Sequence, residues 1–121
     1  MPFTTSKPIV FAAFSKRNFF WRDHIVKFIL QQERVPICAF VMFGYFLADT
    51  LPRDVLIGAN NDLVRRADEL WVFGEVSDGV KAEIDLARSL KRPIRFFAID
   101  PHANEITEVA EKSVPIDFSA G

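Results

Sequence analysis

The sequence predicts a single α/β domain: a parallel sheet of four to five strands with helices on both faces. Three observations predict it. Four short runs rich in β-formers stand at residues 8–14, 35–40, 69–73 and 93–99, and strands apolar on both faces belong in a sheet covered on both sides. Segments of helical periodicity separate them, at 19–32, 52–66 and 77–90. Such alternation implies parallel strands joined by crossovers. The 121 residues hold no repeat, low-complexity segment or linker, so one core is expected.

Residues 1–7 read as a polar arm. Pro8-Ile9-Val10-Phe11-Ala12-Ala13-Phe14 is the first buried strand, and Ser15-Lys16-Arg17-Asn18 is the loop after it. The helix over 19–32 places Phe20, Ile25, Phe28 and Ile29 roughly on one face. The second strand runs from Val35 to Phe40. Residues 41–51 form an apolar, aromatic segment with Gly44, Tyr45 and Asp49, suited to a cover over a site, a strand extension or a subunit contact. Pro52-Arg53-Asp54 opens the next helix, since proline costs little in a first turn. Its stripe is Val55, Leu56, Ala59 and Leu63, with Asn60 turned inward and Asp62 at the stripe's edge. After the strand over 69–73, Ser77 is a good N-cap for the last helix, and Lys91-Arg92 close it at its negative end. The strand over 93–99 follows. From Asp100 the pattern is weak, with Val114-Pro115-Ile116 as a short apolar step that docks the tail.

Composition narrows the function classes. A net charge of −1 gives no overall attraction to a nucleic acid polymer or an acidic membrane. The longest apolar run is too short to span a bilayer, and the N-terminus lacks a secretory pattern. The single cysteine, Cys38, allows no internal disulfide and reads as a small buried hydrophobe in a reducing compartment. The chain is expected to be cytoplasmic. His24 and His102 have no partners at metal-ligand spacing, so neither metal nor cofactor is expected.

The chemistry is expected where the loops after parallel strands gather. On the helix after the third strand, Val80, Ile84, Leu86, Ala87 and Leu90 form an apolar arc, and Glu83 falls inside it. Burying an unpartnered charge is strongly unfavourable, so a carboxylate there calls for a use. Ser77-Asp78-Gly79 at the helix start is either an anion cradle, with free N–H groups and close backbone approach at Gly79, or only a cap. Two inward carboxylates, Glu83 and Asp62, beside such a cradle suggest hydrolysis at a sugar carbon, where one attacks or stabilises and the other assists. The competing reading is a core ion pair with Arg65, Arg66 or Arg95. In the first loop, Ser15, Lys16 and Arg17 either contact phosphate or form a solvated loop. Phe14 stacks on a base or packs in the core. Tyr45 and Phe43 line a lid, or pack in the core or against another copy.

The run Asn60-Asn61-Asp62-Leu63, then Ala67-Asp68 and an apolar strand, then Ser77-x-Gly79-x-x-x-Glu83 at a helix start, resembles the nucleoside 2-deoxyribosyltransferase-like superfamily. That group includes base-exchanging transferases and nucleoside 5′-monophosphate N-glycosidases. The resemblance spans roughly residues 8–99. It implies a flavodoxin-like (Rossmann-like) sheet, Glu83 as the nucleophile at the anomeric carbon, and Asp62 as the assisting acid. It implies that Ser77 separates the branches: transferases carry an acid there, facing the sugar 5′-hydroxyl, and the hydrolases carry serine. A hydroxyl at a helix N-terminus welcomes a 5′-phosphate that a carboxylate would repel, though Asp78 lies next door. The implied ligand is a nucleotide or nucleoside held by Ser77, Asp78, Gly79, Asn60, Ser15 and Arg17, with Phe14 or Tyr45 at the base. The implied assembly is a homodimer or higher homo-oligomer. Two departures stand out: the first loop lacks the glycines common in that group, and Lys81 replaces a small residue. Two further readings remain open: a non-catalytic nucleotide sensor of the same fold, and a base-exchanging transferase.

Overall fold

A computed structural model describes residues 6–43 and 50–117. The first strand, β1, spans Ile9–Ala13. A 3₁₀ turn over Lys16–Trp21 leads into helix α1, Arg22–Gln31. Strand β2 is Val35–Ile37 and is followed by a short helix, α2, Ala39–Met42. Helix α3, Arg53–Arg66, precedes β3, Glu69–Phe73, and helix α4, Asp78–Ser89, precedes β4, Ile94–Asp100. Strand β5, Glu105–Val109, and a 3₁₀ turn at Glu111–Ser113 follow.

The strands lie in the order β2-β1-β3-β4-β5. The first three pairings are parallel and β5 is antiparallel to β4. The α/β class, the parallel sheet of four strands and the helices on both faces are therefore as the sequence predicts. Each central strand feeds two cores, because alternate side chains point to opposite faces. On one face Phe11, Ala13, Leu70, Val72 and Phe96 pack with Val64 of α3 and with Val80, Ile84 and Ala87 of α4. On the other, Val10, Ala12, Phe14, Trp71, Phe73 and Phe97 pack with Ile25 and Ile29 of α1 and with Cys38. Cys38 is buried there, and burial pushes its thiol up from the ordinary range, which fits a packing role over a nucleophilic one.

Four expectations need correction. The helix expected from Phe19 begins at Arg22, because Ser15 caps a 3₁₀ turn instead, its hydroxyl accepting from Arg17 N–H at 3.2 Å. Phe20 consequently leaves the apolar face and stands 85% exposed. The second strand stops at Ile37. Beyond it α2 turns Phe40 against Phe14 and Phe19, at ring separations of 5.1 and 5.7 Å. On α3, Val55 is half exposed and Val64 is the buried residue. The described part of the tail is not weakly structured: β5 pairs with β4 from Asp100↔Glu105 to Phe96↔Val109. Its strand is polar because it lies at the sheet edge, and Arg95 clasps Glu108 through two hydrogen bonds of 2.9 and 2.7 Å. The Asp100 side chain accepts from the N–H groups of His102 and Ala103 and so forms the connecting turn. Of the expected aromatic contact segment, Val41 and Met42 are half exposed, Leu51 is exposed and Phe43 is partly buried; Gly44 to Asp49, Tyr45 included, lies outside the described residues. Among the described residues no helix is long and apolar enough to cross a membrane.

Gly74, the residue after β3, has φ +82°, and a Cβ built on it would lie 2.4 Å from Asn18 Nδ2. Gly74→Ala is expected to destabilise the fold by about 1–2 kcal/mol, read as a lowered urea midpoint. An unchanged midpoint would show that the backbone at this turn relaxes freely.

Candidate functional site

From β1 the chain goes to β2 on one side, and β3 lies on the other. This reversal of direction is the topological switch point, and ligands of open α/β sheets bind beyond the strand ends there. Two loops meet at that edge: Phe14 to Asn18 after β1, and Gly74 to Ser77 after β3. The side chain of Asn18 joins them, donating to Glu75 Oε2 at 3.3 Å. The left-handed backbone of Gly74 makes room for it.

Ser15 and Ser77 are each only 1% exposed. Both cap helical turns. Ser77 Oγ accepts from Val80 N–H at 3.3 Å, and the Ser77 carbonyl accepts from Lys81 N–H at 2.8 Å. The expected N-cap of the last helix is thus observed. Asp78 and Gly79 lie exposed in its first turn. Phe14 is buried against Phe40 and packs in the core. Arg17 reaches out from the first loop and pairs with Asp117 at 2.8 Å. The docking expected of Val114-Pro115-Ile116 is also present: Val76 N–H donates to Pro115 O at 2.8 Å, and Asp117 N–H donates to Val76 O at 2.9 Å.

Glu83 turns inward, as the helical wheel predicts, and meets α3; it lies on the second turn of α4, not on the first turn that the sequence reading expects. The residue is partly buried, and its carboxylate meets Asn60 of α3. Asn60 Nδ2 donates to Glu83 Oε2 at 2.5 Å. Burial pushes the Glu83 pKa up to about 7, and the Asn60 hydrogen bond only partly offsets that. The inward setting of Asn60 is therefore observed. The competing ion-pair reading is met for Asp62, which pairs with Arg65, though at the surface and not in the core; among the described residues the ion pair of Arg95 goes to Glu108 and none involves Glu83.

Asp62 needs correction. Its side chain is 61% exposed and pairs with Arg65 Nη1 at 2.7 Å, one turn along α3. The stripe of α3 that meets α4 runs through Asn60 and Val64, and Asp62 falls on the solvent side of it. The structure thus brings together Glu83 and Asn60 in one place, and Ser15, Arg17 and Ser77 at the adjoining edge. The sequence offers Glu75 only as negative charge near the start of the last helix, and singles out neither Asn18 nor Asp117. A glycine directly after an apolar strand is the available signal for the Asn18–Glu75 contact; Asp117 has none.

The clefts among the described residues include one of about 220 Å³ and one of about 340 Å³. The first lies between α1 and the β4–β5 turn, around His24, Lys27 and Asn104. The second lies between α4 and the docked segment, around Ile84, Arg88 and Ile116. Neither is lined by Glu83. Among the described residues no group of three or more His, Cys, Asp or Glu side chains is placed to hold a metal ion.

The raised pKa of Glu83 has a consequence for stability. In the unfolded chain this carboxyl titrates near 4.5, and in the fold near 7. Between those values the fold holds a proton that the unfolded chain has released, so stability falls as pH rises through the window. The loss is on the order of 3 kcal/mol at most. Glu83→Gln is expected to flatten this part of the stability curve, measured as urea midpoints between pH 4.5 and 8. An identical slope in both proteins would mean that the carboxylate is solvated.

No curated protein matches the chain. A family model described as "Domain of unknown function (DUF7768)" matches residues 10–97. That span is well over half of the 121 residues, and the chain accordingly belongs to the DUF7768 family.

Proposed function

We propose that the protein is a nucleoside 5′-monophosphate N-glycosidase-like hydrolase. The observation that carries this reading is the Glu83 carboxylate, turned toward α3, held by Asn60 and raised in pKa by burial. Packing alone would have favoured an aliphatic side chain there. It stands six residues beyond the Ser77 cap, about 9 Å along the helix axis. A sugar whose 5′-phosphate lies at the helix start would extend toward it. The amide dipoles of α4, Ser77, Gly79 and Arg17 suit a phosphate at that start, and the resemblance of the Ser77-to-Glu83 motif to the hydrolase branch agrees.

In this reading Glu83 Oε attacks the anomeric carbon. The carbon–oxygen bond forms as the base–sugar bond breaks, and the departing base takes up a proton. Water then cleaves the glycosyl ester, releasing sugar phosphate and restoring the carboxylate. Asn60 holds one carboxylate oxygen and so orients the other. Asp62 has no part in it, because its carboxylate is engaged with Arg65 on the solvent side.

The exposure of Asp62 favours a second reading: a nucleotide-binding domain with no turnover, since it leaves Glu83 without a second carboxylate. Incubation with a panel of ribo- and deoxyribonucleoside monophosphates distinguishes the two. The hydrolase releases free base, and Glu83→Ala lowers release roughly a thousandfold or more. Because Glu83 attacks as the anion, kcat/KM is expected to climb with pH through about 7. Thermal stabilisation by a monophosphate that survives Glu83→Gln, with no base released by the wild type, would establish the binding domain instead. Release only when a second base is supplied would mark a transferase.

A further inference from the structure

We propose that residues Val114–Asp117 form an autoinhibitory latch, in which the Asp117 carboxylate occupies Arg17 until the phosphate of a ligand takes its place. This rests on the phosphate-site reading above. Three contacts define the latch. Pro115 O accepts from Val76 N–H, Asp117 N–H donates to Val76 O, and Asp117 Oδ2 meets Arg17 Nη1 at 2.8 Å. Val76 lies between Glu75, which Asn18 holds, and Ser77, the α4 cap. The strap therefore grips the residue beside the helix start and delivers a carboxylate to the cation of the opposite loop. That places one anionic group at the edge where the α4 N-terminus and Arg17 would otherwise receive another.

The latch is built to be released. Its ion pair is partly solvated, with side-chain exposures of 59% for Arg17 and 28% for Asp117, and exposed pairs are weak and screened by salt. Ile116 between its anchors is mostly exposed. The 340 Å³ cleft under the strap, lined by Val76, Ile84, Phe96, Val114 and Ile116, leaves space on its inner side. A phosphate monoester near neutral pH carries more charge than a carboxylate and three acceptor oxygens, so it competes well for a guanidinium. Asp117 would then be repelled by like charge. The two backbone hydrogen bonds at Val76 keep the strap in register, so the carboxylate returns when the ligand leaves.

The test is calorimetric titration of the full chain with three probes: a nucleoside 5′-monophosphate, the matching nucleoside, and inorganic phosphate. Asp117→Asn is expected to bind the monophosphate about two- to tenfold more tightly than wild type, with nucleoside affinity unchanged. The gain should vanish in an Arg17→Ala background. Asp117→Ala is the second variant, and should show the same gain if the effect is loss of charge. An Asp117→Asn protein that binds the monophosphate no better, or whose gain persists without Arg17, overturns the latch and leaves the proposed function standing. If no nucleoside monophosphate binds either protein but Asp117→Asn gains affinity for inorganic phosphate, the latch stands and the nucleotide reading falls. If no anion binds either protein, both are overturned.

Discussion

The pairing of β1 with β3 constrains everything that follows it. The ladder is secured before it starts: Asp68 accepts from Ile9 N–H with its side chain and donates its own N–H to Ile9 O, each at 2.7 Å. From there the register runs Val10↔Glu69 through Ala13↔Val72. Once these strands are parallel and adjacent, the loops after them must emerge side by side. The two buried serines, the Asn18–Glu75 bridge and the start of α4 are then neighbours by geometry, whatever they bind. A one-residue slip would exchange the apolar sets facing α1 and α4, and it would separate Ala67-Asp68 from the strand they anchor.

The second consequence concerns electrostatics. Helices α3 and α4 pack on the same face of the sheet, with Val64, Val80, Ile84 and Ala87 between them. The Glu83 carboxylate at that layer has, among the described residues, Asn60 as its hydrogen-bond partner. Neutral amides stabilise an anion less than a guanidinium would, which is why burial dominates the titration of Glu83. Had Arg65 turned inward, the same glutamate would be a firmly ionised structural ion pair. Arg65 instead reaches one turn back to Asp62 in water. The division of labour along α3, an amide inward and a salt bridge outward, sets the chemical character of the interior.

Much of this was legible in the residues. Buried strands announce themselves by apolar runs, so β1, β3 and β4 were found nearly to the residue, and so was α4, because Ser77 is a strong cap. The inward setting of Glu83 followed from helical period alone. Failures arose where local pattern and tertiary contact disagree. Phe20 fits the wheel of a helix that starts too early, and nothing in the spacing reveals that Ser15 diverts the chain into a 3₁₀ turn. Strand β5 is polar because an edge strand needs little apolar area, so hydropathy passes over it, although Asp100, Pro101 and Asn104 carry turn chemistry that marks the hairpin. Asp62 was misplaced because position 62 sits at the margin of the wheel, where the crossing of two helices decides which way a side chain turns. The contact between Arg17 and Asp117, a hundred positions apart, is beyond any local pattern.

The two margins of the sheet carry a last implication. On one side β2 is three residues long, with Pro36 at its centre, so its outer rim lacks one backbone donor. On the other, β5 presents Glu105, Thr107 and Glu108 in a five-residue strand, with Glu108 bound to Arg95. Brevity and proline guard the first margin, and charge guards the second. Strand-by-strand growth into a continuous intermolecular sheet is thereby disfavoured at both ends. The backbone hydrogen-bonding groups of the sheet are thus kept for pairing within the molecule.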